Sequence, residues 1–181
     1  MIKSLRLILP VCLICYLLGC ASIKQYFINA SLNYQLQPVP EQFNLQSWQQ
    51  VLEFEGQGSF ICQIEFVDQQ MNLVALSAAG LPLMQLTWSA QSGVNLIQPP
   101  PFELNPQLII RDIQLTHWPV LAVQSGLPAS ISVRQIVAEN VIISRSIETE
   151  TDKLIDIRYF NQNIEFNDLT LNYRLFIKQL N

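Results

Sequence analysis

Four cysteines, one histidine and fourteen carboxylates are the side chains with which this 181-residue sequence could carry out covalent or acid–base chemistry. Their spacing decides how much of that chemistry is available. Cys20 closes the run Leu17-Leu18-Gly19-Cys20, after an apolar stretch from Leu7 to Leu18 and a start that carries Lys3 and Arg6. A charged start, a short apolar region and a small residue before a cysteine make a secretory signal ending in a lipobox. In that chemistry the Cys20 thiol accepts diacylglycerol, and cleavage leaves it as the first residue of the mature chain. The apolar stretch is too short to span a bilayer, which takes roughly 20 residues.

The remaining reactive groups form no catalytic pattern. Cys12 and Cys15 leave with the signal, so Cys62 stands alone and no intramolecular disulfide is expected. It sits on the apolar side of the alternating run Phe60-Ile61-Cys62-Gln63-Ile64-Glu65-Phe66, where a thiol is expected to be buried and inert. His117 is the one histidine, which rules out a site built on several of them. Between Thr116 and Trp118-Pro119 it reads as a packed or capping imidazole. Asp112 is expected to ion-pair with a strand arginine, and Glu148, Glu150 and Asp152 read as a solvated turn between strands. Cys-x-x-Cys, Gly-x-Ser-x-Gly, His-Glu-x-x-His and phosphate-loop patterns do not occur. The expectation is a protein that is not an enzyme, with no metal and no cofactor.

Cleavage removes Lys3 and Arg6, leaving eight basic residues against fourteen acidic ones, a net charge of about −6 for 162 residues. Such a balance argues against nucleic acid or an anionic lipid surface as an electrostatic partner. Half of the full sequence is hydrophobic and only 13% is charged, so apolar faces must be buried in a core or offered to a ligand.

The elements that would position these groups follow from periodicity. Residues 20–47 read as the lipidated cysteine and a tether, rich in Gln and Asn and broken by Pro38 and Pro40; residues 48–181 read as one domain. Strands are expected from Val51 onward. Phe60–Phe66, Met71–Ala78, Leu81–Ser89 and Val94–Gln98 form a four-strand meander that ends at Pro99-Pro100-Pro101. Asn105-Pro106 then caps and opens a helix over Gln107–Thr116, interrupted at Pro119, resuming to about Ser125 and ending before Gly126 and Pro128. Strands resume at Ile131–Ala138, Val141–Ile147, Leu154–Phe160 and Leu169–Ile177. The fold class is α+β, mainly antiparallel β, with the helical segment across the concave face of a curved sheet. Apolar strand faces need a cover, and the central helix is the candidate. Pattern alone leaves open whether helix and sheet close into a solid core or keep a cavity for an acyl chain.

Several segments resemble a family of proteobacterial lipoproteins encoded beside fatty-acid-synthase-like clusters that make aryl polyene lipids. They are Gly58-Ser59-Phe60-Ile61-Cys62, Leu73-Val74-Ala75-Leu76-Ser77-Ala78-Ala79-Gly80 and Asp112-Ile113-Gln114-Leu115-Thr116-His117-Trp118-Pro119, with Ile157-Arg158-Tyr159 and Leu171-Asn172-Tyr173-Arg174-Leu175. In layout that family is similar to the lipoprotein-localisation factors LolA and LolB, which implies a curved, incompletely closed, barrel-like sheet with helices across its concave face, enclosing an apolar cavity for acyl chains. The resemblance implies an outer-membrane lipoprotein on the periplasmic face that receives acyl cargo, with a periplasmic carrier protein as a partner. It implies a cavity lined by Phe60, Met84, Leu86, Trp88, Ile109, Ile113 and Trp118. Two other readings stay open: a non-catalytic assembly lipoprotein that docks a protein through a sheet edge, and an enzyme acting on acyl substrates, for which catalytic residues are missing. Pro99–Pro101 and the Trp118-Pro119 break depart from the LolB pattern, so the resemblance does not carry over a substrate.

Overall fold

The structure is a computed structural model describing residues 32–55, 58–101 and 105–180; the expected signal peptide and the expected lipidation site Cys20 lie outside them. Among the described residues ten strands form one antiparallel sheet. The first five are β1 (Ser47–Phe54), β2 (Gly58–Val67), β3 (Gln70–Leu76), β4 (Pro82–Ser89) and β5 (Gly93–Gln98). The last five are β6 (Ser132–Ala138), β7 (Val141–Glu148), β8 (Lys153–Phe160), β9 (Asn163–Asp168) and β10 (Tyr173–Gln179). Each set is a meander, and β1 pairs with β10 to join them in the order β5-β4-β3-β2-β1-β10-β9-β8-β7-β6. The two ends, β5 and β6, do not meet. The sheet is therefore open.

Between the meanders lie α1 (Pro106–His117) and α2 (Val120–Gly126). The Asn105 side chain accepts the Gln107 N–H at 3.0 Å and Pro106 opens the first turn, so a donor that has no intrahelical partner is satisfied at little cost. Trp118 is extended ahead of Pro119, as the ring of a following proline requires, and this ends α1. Near that end α1 touches strands far apart in the sheet. Trp118 lies 6.0 Å from Phe66 of β2, while the Leu115 carbonyl accepts from Arg145 of β7 at 2.6 Å. Laid flat, β2 and β7 would be five strand spacings apart, about 24 Å. The sheet must curl around the helix. Register shifts in four of its ladders supply local bends.

Three expectations differ from what the structure contains. β9, in the polar run Asn163–Asp168, is not among the expected strands; its inward parity carries only Ile164, Phe166 and Asp168, too short an apolar signal to stand out. The last strand begins at Tyr173 rather than Leu169, because Asp168 folds residues 169–172 into a turn by accepting from Thr170 N, Thr170 Oγ1 and Leu171 N at 2.6–2.9 Å. Finally, the described part of the expected tether, residues 32–46, is docked on the helices. Gln35 N donates to Gly126 O at 2.8 Å, Gln37 exchanges two hydrogen bonds with the Gln114 amide, and Trp118 Nε1 donates to Pro38 O at 2.8 Å. A short 3-10 turn, Glu41–Phe43, then sets the Phe43 ring against Trp48, Phe66 and Trp118. Two prolines and many amides look like a linker, but here the amides satisfy helix groups that the sheet cannot reach.

Candidate apolar binding site

The two ends of the sheet's interior are packed differently. Phe66, Met71 and Trp88 stand in one cross-strand row on β2, β3 and β4, and with Phe43, Trp48 and Trp118 they fill one end with rings. At the other end stand smaller side chains in register, Cys62, Ala75 and Met84. There the N-terminal half of α1 leaves a cavity. Its floor is Leu52 and Phe54 of β1, Phe60 and Cys62 of β2, Leu73 and Ala75 of β3 and Met84 of β4; its roof is Leu108, Ile109 and Ile113; and Tyr173, Leu175 and Ile177 of β10 close one side. The cavity has a volume of about 50 Å³. The space thus suits a few carbon atoms, and its wall is nearly all carbon, so it offers water few partners.

Of the residues expected to line such a cavity, the structure brings Phe60, Met84, Ile109 and Ile113 together around it. Leu86, Trp88 and Trp118 are buried outside its lining. Leu86 and Trp88 share the inward parity of Met84 but sit one and two rows further along β4, toward the packed end, and Trp118 ends the helix there. Alternation gives the face of a strand and not the position along it where the helix lifts away.

Polar groups border the cavity and pair with one another, apart from Arg111 Nη1, which is buried without a hydrogen-bond partner among the described residues. Arg111 donates to Asp168 of β9 at 2.8 Å and to Tyr173 Oη at 3.0 Å, and pairs with Asp112 at 2.7 Å; Tyr173 in turn donates to Asp112. One guanidinium serves two carboxylates. Asp168 accepts three more hydrogen bonds from its own turn, and burial pushes the Asp112 carboxyl up to about 6 against the pull of Arg111. Burial raises the Tyr173 phenol as well, with Asp112 adding to the effect.

A second clasp holds the other end of α1. Arg145 is buried, and its hydrogen-bond partners among the described residues are neutral: Gln135 Oε1 at 2.7 and 3.1 Å, Leu115 O at 2.6 Å and Thr116 O at 3.4 Å. The negative end of the helix dipole faces this cation in place of a carboxylate. Tyr159 Oη also donates to Thr116 O, at 2.8 Å. His117 shares a hydrogen bond with Gln50 at 3.1 Å and lies 4.9 Å from the Trp48 ring. Burial, and then the Arg145 charge, pull the imidazole down to about 4, so it is neutral at pH 7. Cys62 borders the cavity with its thiol pushed up to about 12 by burial, well outside nucleophilic range.

The sequence reading found neither Asp168 nor Arg145. A signal for Arg145 was present: it occupies the inward parity of β7 beside Ile147, where an arginine needs buried partners. Asp168 gave none, because the strand that carries it was not seen. Among the described residues no group of His, Cys, Asp and Glu is arranged to hold a metal ion, and no helix is long and apolar enough to cross a membrane.

Residues 47–181, from the first residue of β1 onward, match the model of a family described as protein of unknown function (DUF3261). No curated protein matches the chain.

Proposed function

We propose that this chain, which belongs to the DUF3261 family, is a lipid-anchored acceptor that takes an acyl chain under α1 and helps its transfer or insertion at the periplasmic face of the outer membrane. The observation that carries the reading is the carbon-lined cavity between α1 and β1–β4, whose neighbouring polar groups are turned toward each other. Such a site selects by apolarity and offers no headgroup recognition inside. In this reading the layout is that of the LolA and LolB factors, Cys20 holds the protein at the bilayer, and the cargo is an aryl polyene lipid or a like acyl product handed on by a periplasmic carrier. No bond is made or broken. Each methylene moved from water into the site contributes about 0.8 kcal/mol. A whole acyl chain needs more room than the cavity holds, so loading requires the N-terminal half of α1 to lift from the sheet.

Mass spectrometry of organic extracts of the Cys20→Ala chain, which lacks the anchor's own lipid, is expected to find bound acyl species, and the protein is expected to take up an apolar fluorescent dye. Absence of both overturns the reading. Ala75 faces the cavity from the middle of β3, and Ala75→Val adds two methyl groups there while suiting a strand. Dye affinity is expected to fall about tenfold, while stability in urea holds or rises by up to about 1 kcal/mol as the void fills.

A further inference from the structure

We propose that the tip of the β6–β7 hairpin is a membrane-docking element that enters the interfacial region of the phospholipid bilayer; this rests on the lipid-anchored reading above. β7 is paired with β8 only from Ser144 onward, opposite Arg158, so residues 136–143 run past the sheet as a two-stranded ribbon. On that ribbon Ile136 is 55% exposed, Val137 52%, Val141 60% and Ile143 45%. Glu139, at the turn, is its one charged residue between Arg134 and Arg145. The apolar side chains face both ways: Val141 and Ile143 keep the parity of buried Arg145 and Ile147, and Ile136 and Val137 straddle a register shift. A folded partner covers one face of a ribbon. A medium that is apolar all round covers both.

The surroundings favour the same occupant. Four turns, β2–β3, β4–β5, β6–β7 and β8–β9, lie along one rim of the antiparallel sheet, and Phe160 and Leu180 are exposed on that rim too. The acidic turn at residues 149–152 belongs to the opposite rim. The chain also reaches. Docking of Gln35 on Gly126 places the start of the described chain near the beginning of β6, about 20 Å from the hairpin turn by strand rise. The twelve residues from Cys20 to Leu32 extend to about 40 Å. Anchor and hairpin can therefore enter one leaflet together. Exposed Arg158, paired with Asp156 at 3.0 Å, sits opposite Ser144 at the base of the ribbon, at headgroup depth when the tip is buried.

The test uses the lipidated full chain in phosphatidylethanolamine–phosphatidylglycerol vesicles. Cys62 is buried and Cys20 acylated, so one introduced thiol takes the label. An environment-sensitive fluorophore on the Val141→Cys variant is expected to shift to the blue and to be quenched by nitroxide-bearing lipid at least threefold more than on Thr151→Cys, at the opposite rim. Ile143→Cys repeats the measurement should Val141→Cys not fold. Vesicle flotation with no greater quenching at 141 and 143 than at 151 overturns the proposal and leaves the acyl-binding reading standing. A blue shift that depends on protein concentration and not on quencher lipid overturns it in favour of a second copy pairing along β6. Failure to float overturns it together with the anchor, whereas loss of dye uptake alone touches only the cargo reading.

Discussion

Arg111→Met would leave the buried Asp168 carboxylate without its cation while its neighbours stay in place. Removing one partner of a buried pair costs about 3–5 kcal/mol, and urea unfolding should show a loss of that size. Two other side chains make a prediction about pH. The folded Asp112 carboxyl is raised to about 6, so between about pH 4 and 6 the folded state binds more protons than the unfolded one, and its contribution to stability falls as pH rises. The folded His117 is lowered to about 4, so from about pH 4 to 6.5 the folded state binds fewer protons, and its contribution rises with pH. The two slopes oppose each other. Measured as the difference from the parent protein in urea titrations, His117→Gln should lose stability progressively as pH rises through this window. Asp112→Asn should gain it, each by at most about 1.4 kcal/mol per pH unit. Slopes of the same sign would show that one of the two environments is misassigned. At this scale the sequence was partly legible: Cys62 was expected to be buried and is, and His117, expected as a packed or capping imidazole, is half-buried against Gln50 and Trp48. Asp112 was expected to meet a strand arginine; instead its neighbour Arg111 reaches a strand carboxylate, and Asp112 meets Tyr173, because pairing across layers depends on which strand lies beneath.

Among the elements, α2 is the one most tightly constrained by its neighbours. A Cβ at Gly126 would stand 2.4 Å from Tyr34 Cε2 and 2.5 Å from the Gln35 carbonyl oxygen, and the second of these is backbone. Gly126→Ala should therefore cost about 2 kcal/mol in urea unfolding, through displacement of residues 34–35. The same change on an isolated helix would be favourable, which makes the sign diagnostic. Glycine after a helical run was legible as a stop signal. That the residue is also the crossing point of an N-terminal segment was not, since a close approach of two backbones leaves no periodic trace. The two helices, the proline between them and eight of the strands were readable because caps, prolines and alternation act within a few residues of one another. β1 was seen only from Val51, since Gln49 and Gln50 blur the apolar alternation; Gln50 nevertheless points inward and meets His117.

For the whole molecule, the family match begins at Ser47, yet residues 32–46 cover Trp118, satisfy the Gln114 amide and pack Phe43 into the ring cluster. A chain that starts at Ser47 should lose several kcal/mol, by loss of a buried aromatic at about 3–5 kcal/mol for a residue of that size, and should show a solvent-exposed tryptophan in its emission spectrum. A chain that starts at Leu32 should not. Unchanged unfolding of the shorter chain would show that the segment is a tether after all. The sequence by itself determined the two meanders with a helical break between them, the burial of Cys62 and the thin catalytic inventory, because those features are written in nearest-neighbour order and side-chain parity. Only the tertiary structure decided that β1 and β10 join the two halves of the sheet, which end of the interior is packed and which holds a cavity, and which arginines clasp α1. These depend on residues far apart in sequence meeting at distances set by the curl of the sheet around a helix, and local pattern carries no measure of that curvature.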